Sequence, residues 1–523
     1  MCAAVKVNGV AIYGRQLALS AQRFASTTYA TTDDSTLRTK PFLHHFAIHA
    51  LYSECKSSVQ AQLTSTIDRE GTYTLNTIQA FNANHFPQSY LQAKLTPAEF
   101  DTVSPSSILE VLPRSEMLEQ SLEAMKPKLV LRRINNQKYE FFYQDTSMFL
   151  FQYRDLKVVR ATGAQLRPKP KPDDPLKFGH NFSDHMFEVD WNVSKGWGQP
   201  LISPLHNFDL HPASKVLHYA IELFEGMKAY RGVDNKLRLF RPEMNMERMR
   251  RSAARSALPD FSATEMIKII SELVNIDQEW VPRTKASSLY IRPAMIALDP
   301  TLGVGHPNEA RLFVLTGPAG QYYATGFKPV SLLADPEYVR AFPGGVGQYK
   351  MGCNYAPSIM VSKVAAEKGC QQVLWLLGED ERITEVGTMN IMLFWKNEKG
   401  EEELVTPPLT DGIILPGVTR DSLLTLAREW NQFKVSERYV GMPEIRKALK
   451  EHRLYEIFGC GTACVVSPVG RILYRNKSKG NEYEDMIIPT MEHKPNLMQK
   501  LYDSIVDIQY GKVPRPEWLH DVV

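Results

Sequence analysis

Lys350 is the one formally charged residue in the fourteen-residue stretch VGQYKMGCNYAPSI, 346–359, and no carboxylate lies within six positions of it. A lysine that must be neutral to attack an aldehyde belongs in such a setting, because burial lowers the ammonium pKa. The glycines are wrongly spaced for a phosphate-binding P-loop, and no Ser or Thr follows the lysine. A lone lysine in a glycine-rich loop is more often structural or solvated. Its meaning depends on what accompanies it.

Three other stretches accompany it. TEVGTMN (384–390) sets Glu385 and Thr388 between apolar segments. LPGVTRDSL (415–423) has a glycine turn opening a helix, where free amides and the helix dipole favour an anion. FGCGTACVVSP (458–468) is a small-residue turn whose amides can approach a ligand closely. A phosphate requires helix-start amides, hydroxyls and an arginine. A pyridine nitrogen requires a carboxylate to keep its proton, and an aldehyde requires a lysine. Together these residue types answer the requirements of pyridoxal phosphate. Each also has a bland reading: Glu385 as a buried ion-pair partner, or the arginines of RMRRSAAR (248–255) as a solvated basic face.

The elements that must position these residues form a mixed α/β chain in two halves, roughly 178–322 and 328–515. LHYAIELFEGM reads as a helix running into a strand, and MKAYRGVDNKLRLFRP as a hairpin turning at VDNK. PEMNMERMRRSAARSA is helical, with Pro242 in its first turn. SATEMIKIISELVNI begins with the capping-box pattern Ser262–Glu265, and Met266, Ile269, Ile270, Leu273 and Val274 make one apolar stripe. RLFVLTGP, PVSLLA, QVLWLL and NIMLFW are short apolar strands, the last pairing through KNEKGEE with ELVTPP. RDSLLTLAREWN and PNLMQKLYDSIVDIQY are flanking helices, and GPAGQYYATGF (317–327) reads as an interdomain loop. No internal repeat is visible.

At 523 residues, two or three domains are expected. The net charge of +3, from 61 basic and 58 acidic residues, gives no reason to expect nucleic acid as a partner. No apolar run approaches the roughly 20 residues of a membrane helix, so no membrane insertion is expected. The six cysteines, Cys2, Cys55, Cys353, Cys370, Cys460 and Cys464, form no framework and suggest a reducing compartment. Lys6, Arg15 and Arg23 are the only charged side chains before Asp33, and RQLALSAQRFAS could form a basic amphipathic helix. That pattern resembles a mitochondrial transit peptide over residues 1–30. It implies delivery to the mitochondrial matrix, with the cytoplasm as the alternative. Residues 31–165 form an extension of unassigned fold. It has helix-like stretches at HHFAIHALYSECKSSVQAQL and RSEMLEQSLEAM, and a strand pair or partner-binding segment at KYEFFYQDTSMFLFQY. His45 and His49 share a helix face without a third ligand, so no metal site is expected. LRPKPKPDDP (166–175) is a stiff proline-rich connector, placing a linker at 166–177, a first domain at 178–322 and a second at 323–523.

The motifs LFEGMKAYRG, NMERMRRSA, SLYIRP, GGVGQYKMGCNYAPS, TEVGTMNIM, LVTPPLTDGIILPGVTR and FGCGTACVVSPV resemble the branched-chain amino acid aminotransferases of pyridoxal-phosphate fold type IV. The resemblance runs from about Phe178 to about Tyr510 and leaves out residues 1–150. It implies a small N-terminal and a larger C-terminal domain with the cofactor between them, and a homodimer. Lys350 would form the internal Schiff base and carry the proton between substrate Cα and cofactor C4′. Glu385 would pair with the pyridinium nitrogen, and Tyr355 with the phenolic oxygen. Arg248, Thr419, Thr462 and the Val418 amide would hold the phosphate, with Thr388, Leu415 and Gly461 also beside the cofactor. Phe178, Tyr219, Phe224 and Tyr290 would line the substrate pocket. Thr388 and the Ala463 amide would meet the substrate carboxylate. Arg292 would orient Tyr219 and help accept the second carboxylate of glutamate. The implied reaction is reversible amino transfer between L-leucine, L-isoleucine or L-valine and 2-oxoglutarate. The alternatives are another fold-type IV aminotransferase, such as one acting on D-amino acids, or a non-catalytic scaffold using its N-terminal extension.

Two positions depart from the family pattern. Animal members often carry a C-x-x-C pair after GTA, whereas here Ser467 follows Cys464 at that spacing, leaving Cys460 as the only nearby substitute. Cys353 stands where the family usually has glycine.

Overall fold

The computed structural model describes residues 150–522, except 172, 173, 175, 285, 286 and 321–327. Within 1–149 it describes the backbone of seven strands. The chain divides into two compact units, Met1–Phe149 and Leu150–Val523.

In the first unit, five antiparallel strands lie in the order Ala93–Leu95, Tyr73–Phe81, Gln60–Ile67, Lys138–Tyr143, Leu129–Asn135. Ala4–Val7 and Val10–Tyr13 form a separate ribbon. The strand reading of KYEFFY holds. The end of the expected helix at 44–63 is instead strand from Gln60 onward, consistent with the β-branched alternation of QLTSTI. The basic segment at 15–26, the two histidines and RSEMLEQSLEAM lie outside the described residues.

The second unit begins earlier than the proline-rich connector. Phe151 is buried, packing edge-on to Trp197 at 5.2 Å, and the Ala161 amide donates to buried His185. The connector lies along this unit, with the Arg167 amide and the Lys169 ammonium both bonded to Asp184.

Two sheets make up this unit. The first runs Leu519–Asp521, Leu237–Phe240, Met227–Arg231, Ser288–Ala297, Glu309–Ala319, His185–Asn192, Leu201–Pro204, Lys157–Val158, with Glu222–Phe224 continuing beside Ser288–Ala297. The helix Ala263–Ile276 covers it, and its five stripe residues are fully buried. Ser262 caps that helix by accepting the Glu265 amide, but the reciprocal half of the capping box is absent. The Glu265 carboxylate instead takes the Tyr153 amide at 2.7 Å. The C-terminal strand Leu519–Asp521 returns to this sheet, so chain order and sheet membership part company at the end.

The second sheet runs Arg382–Val386, Gln372–Leu377, Val330–Ala334, Val465–Asn476, Leu454–Gly461, Met389–Lys396, Glu402–Thr406, Lys434–Glu437. Arg382–Val386 also pairs with Met389–Lys396, which curls the sheet upon itself. The helices Val418–Trp430 and Leu497–Gln509 bury their apolar sides in its core. The helices Ser358–Glu367 and Met442–Lys450 complete the half. Among the described residues no helix is long and apolar enough to cross a membrane.

Candidate active site

Between the two sheets lies a cavity of about 260 Å³. Its wall is built from short turns, each with a local reason for its shape. The Glu385–Asn390 hairpin turns tightly at Gly387 (φ 55°), and Glu385 is buried. The helix Val418–Trp430 starts at Gly417, where a Cβ would come within 2.1 Å of Asn390 Oδ1, so only glycine fits. Its first residues, Val418 and Thr419, line the cavity. The Gly461–Val465 turn joins two antiparallel strands and ends on Val465 at φ 63°. A β-branched residue in that region costs about 1–3 kcal/mol and persists where its surroundings hold it.

Lys350 projects into this cavity. Its amide donates to Ser252 Oγ at 3.0 Å and its carbonyl accepts the Phe224 amide. Its Nζ lies 3.2 Å from the Tyr355 hydroxyl and 4.8 Å from the Phe224 ring centre, and no carboxylate among the described residues pairs with it. Burial, and then the Arg248 charge, lower the ammonium to about 8. Burial pushes the Tyr355 phenol up to about 12, and the Glu385 charge adds to this.

Arg248 comes from the helix Pro242–Arg255 and is buried. Its Nε and Nη2 each donate to a Glu225 oxygen at 2.7 Å, and Nη1 donates to the Pro416 carbonyl. A guanidinium has five N–H groups, so two remain for a ligand. Burial is the largest effect on Glu225 and pushes its carboxyl up. The Arg248 charge and hydrogen bonds overcome this and hold it below the usual range. Glu385 accepts the Leu415 amide and the Asn390 side chain at one oxygen, and Arg340 at 2.7 Å at the other. Burial pushes its carboxyl up, while Arg340 opposes.

The aromatic side is equally ordered. Phe178 meets Tyr290 edge-on at 4.7 Å, and Phe224 lies 5.0 Å from Tyr355. Gly226 has no Cβ to offer, since one would come within 2.3 Å of the Tyr290 hydroxyl. Arg292 lies over Phe224 and Tyr290, at 4.6 and 5.2 Å, and donates to the Tyr290 hydroxyl at 3.0 Å.

Of the expected site residues, the cavity collects Phe178, Phe224, Arg248, Tyr290, Arg292, Lys350, Tyr355, Glu385, Thr388, Leu415, Val418, Thr419, Gly461, Thr462 and Ala463. Tyr219 is outside this group, and the expected Arg292–Tyr219 pairing does not form. Residues two apart on a strand share a face, which gives Arg292 to Tyr290. Tyr219 ends the helix Lys215–Tyr219, is turned away at left-handed Ala220, and bonds the Leu302 carbonyl. The substitute disulfide is not formed in the structure, although both cysteines line the cavity. Cys460 lies in the cluster with Phe458 and Val466, whereas Cys464 packs on the opposite cluster, 3.0 Å from Met389 Sδ; both are free. Cys353 is a free, half-buried thiol pushed up by burial.

Glu225, Lys228, Ser252, Arg340 and Asn390 were not foreseen. Glu225 and Lys228 lie in a stretch, ELFEGMKAYR, that carries a charge at every third position, so the signal that exposed Lys350 is missing there. Arg340 in EYVRAF and Asn390 in TMNIM look ordinary in sequence.

Comparison with known proteins fits this geometry. The family model for class IV amino-transferases matches residues 222–472. The cytosolic branched-chain-amino-acid aminotransferase of Caenorhabditis elegans is 61% identical over 372 residues, 71% of this chain and 89% of that protein. The chain belongs to the branched-chain-amino-acid aminotransferases. The mitochondrial enzyme of Bos taurus is 54% identical to this aminotransferase, over 67% of its chain and 87% of the bovine one. The fold is that of the branched-chain aminotransferase of Thermoproteus uzoniensis, with TM-score 0.50 and 24% identity over 64% of this chain and 100% of that one. It is also that of the Thermobaculum terrenum enzyme solved in its PLP-form, with TM-score 0.50 and 21% identity over 66% and 99%. The family-model match lies within the second unit.

Proposed function

We propose that this aminotransferase uses pyridoxal phosphate to exchange the amino group of L-leucine, L-isoleucine or L-valine with 2-oxoglutarate. The observation that carries the reading is the placement of Lys350. Its amine lies in a cavity with spare arginine donors and helix-start amides on one wall and a buried carboxylate on another.

The residues fit the cofactor. The two spare N–H groups of Arg248, the Val418 and Thr419 amides and the Thr462 hydroxyl suit a phosphate. Glu385 suits a protonated ring nitrogen, and Tyr355 a phenolic oxygen. When bound, pyridoxal phosphate supplies an aldehyde that receives the amino group and a ring that takes up the electron pair released at Cα. Lys350 would bond that aldehyde and then move the proton at Cα, a task eased by an ammonium already lowered to about 8. Glu385 would hold the proton on the ring nitrogen.

Substrate selection follows from the aromatic wall. Phe178, Phe224 and Tyr290 accept a branched aliphatic side chain. Discrimination by one methylene is worth about 1–3 kcal/mol, so the three branched amino acids are shared substrates. Among the described residues no carboxylate forms a close ion pair with Arg292, though its charge reaches Glu222, and its Nε is buried without a hydrogen-bond partner. A second carboxylate, as in glutamate, would satisfy it. Thr388 and the Ala463 amide would receive the α-carboxylate.

A homodimer suits the exposed apolar group beside Tyr219, in which Leu302 is 63% and Val304 82% exposed. The basic N-terminus supports the mitochondrial matrix as its destination, and named relatives include both mitochondrial and cytosolic enzymes. A reporter fused to residues 1–35 is expected to enter mitochondria.

The direct test is turnover with 2-oxoglutarate as acceptor. L-leucine, L-isoleucine and L-valine are expected to react at rates within about tenfold of one another, and D-leucine is not. Preferential use of D-leucine would overturn the reading.

A further inference from the structure

Lys228 is a second buried lysine at this site, and the reaction as described leaves it unused. It lies on the central Met227–Arg231 strand of the first sheet. Met227 and Ala229 pack into that half's core, so the alternation turns Lys228 the other way, alongside its strand partner Tyr290. Its Nζ crosses to the other half and donates to the Ala463 carbonyl at 2.8 Å. Among the described residues no carboxylate pairs with it, and the titratable group acting on it is the Cys464 thiol. Burial lowers its ammonium to about 8.

A buried cation without a counter-ion is costly, and so is a valine held at φ 63° two residues beyond Ala463. Both meet in the Gly461–Val465 turn. The Lys228 bond holds the Ala463–Cys464 peptide plane, and so restrains the ψ rotation of Ala463, the residue whose amide lies one peptide earlier in the turn. An anion seated on that amide would supply the charge that Lys228 lacks.

We propose that Lys228 is a positioning residue for substrate: it sets the 461–465 turn and places positive charge behind it, so that the turn receives the substrate α-carboxylate. The inference rests on the reading above that the Ala463 amide meets that carboxylate.

The test uses the purified holoenzyme and two readouts. One is the split between KM and kcat for L-leucine. The other is calorimetric binding of 4-methylpentanoate, a branched carboxylate with no amine to transfer. In Lys228→Met, KM and the analogue Kd are expected to rise about tenfold, as for a lost hydrogen bond from a charged group, with kcat changing less than about threefold. Cofactor absorbance should match wild type. Lys228→Gln keeps a donor without the charge, and its KM and Kd should fall between wild type and Lys228→Met. It also serves if Lys228→Met does not fold. Undiminished analogue binding in both variants would overturn the proposal. So would a loss of kcat and cofactor retention with KM and Kd unchanged, which marks a purely structural strut. If wild type neither binds 4-methylpentanoate nor turns over L-leucine, the functional reading falls, and the proposal with it.

Discussion

An isolated charge in an apolar stretch is expensive, and Lys350 carries that expense visibly. Its folded-state pKa of about 8 lies below the ordinary lysine value of 10.5. Below pH 8 both folded and unfolded chains hold the proton, and the fold bears the whole penalty. Between pH 8 and 10.5 the unfolded chain holds a proton that the folded one has shed, so stability rises with pH. Lys350→Met should therefore stabilise the cofactor-free protein at pH 7, by about 1–3 kcal/mol. The gain should shrink as pH rises above 8. Denaturant unfolding at pH 7 and pH 9.5 measures this, and a variant less stable than wild type at pH 7 would contradict it. The lysine was legible in sequence because its neighbours are uncharged. Arg340 was not, since nothing in EYVRAF marks a loop arginine whose partner, Glu385, lies on a strand of another motif. The Arg292 partner was misread for a related reason: strand alternation settles it for Tyr290, but only once the Ser288–Ala297 strand is known to be regular.

Secondary elements place these residues through positions where a side chain cannot fit. Gly417 is the sharpest case, because it opens the helix Val418–Trp430 while Asn390 Oδ1 occupies the space of its missing Cβ. Gly417→Ala should push the helix start away from the cavity and weaken cofactor binding by about tenfold or more, the equivalent of one charge-assisted hydrogen bond. Equilibrium dialysis of the cofactor would show it, and unchanged affinity would contradict the assigned phosphate wall. The helix start was readable from LPGVTRDSL, since glycine followed by a helical pattern is local information. The Ser262–Glu265 box was readable only by half. Its cap bond is local, but the Glu265 carboxylate is captured by Tyr153, 112 residues away. Cys460 and Cys464 are four residues apart and both border the cavity, yet they pack against different apolar clusters and stand as free thiols.

At the scale of the molecule, the aminotransferase fold and an N-terminal unit share one chain. The boundary inferred from the prolines fell late, because connectors are recognised by composition and buried lead-in segments are not. Phe151 and Ala161 belong to the first sheet's core and its edge. Residues 150–523 alone should therefore keep L-leucine turnover within about twofold of full length. Beginning the chain at 168 should cost about 3–5 kcal/mol of stability, the scale of truncating a buried aromatic. Equal stability of the two truncations would contradict this boundary.

The central claim is that one amine, that of Lys350, holds the cofactor, and borohydride reduction of the purified holoenzyme tests it most directly. Reduction followed by peptide mapping should find the pyridoxyl group on the peptide containing Lys350, with the visible absorption lost in step. A label on Lys228 or another lysine, or none on any peptide, would contradict the account.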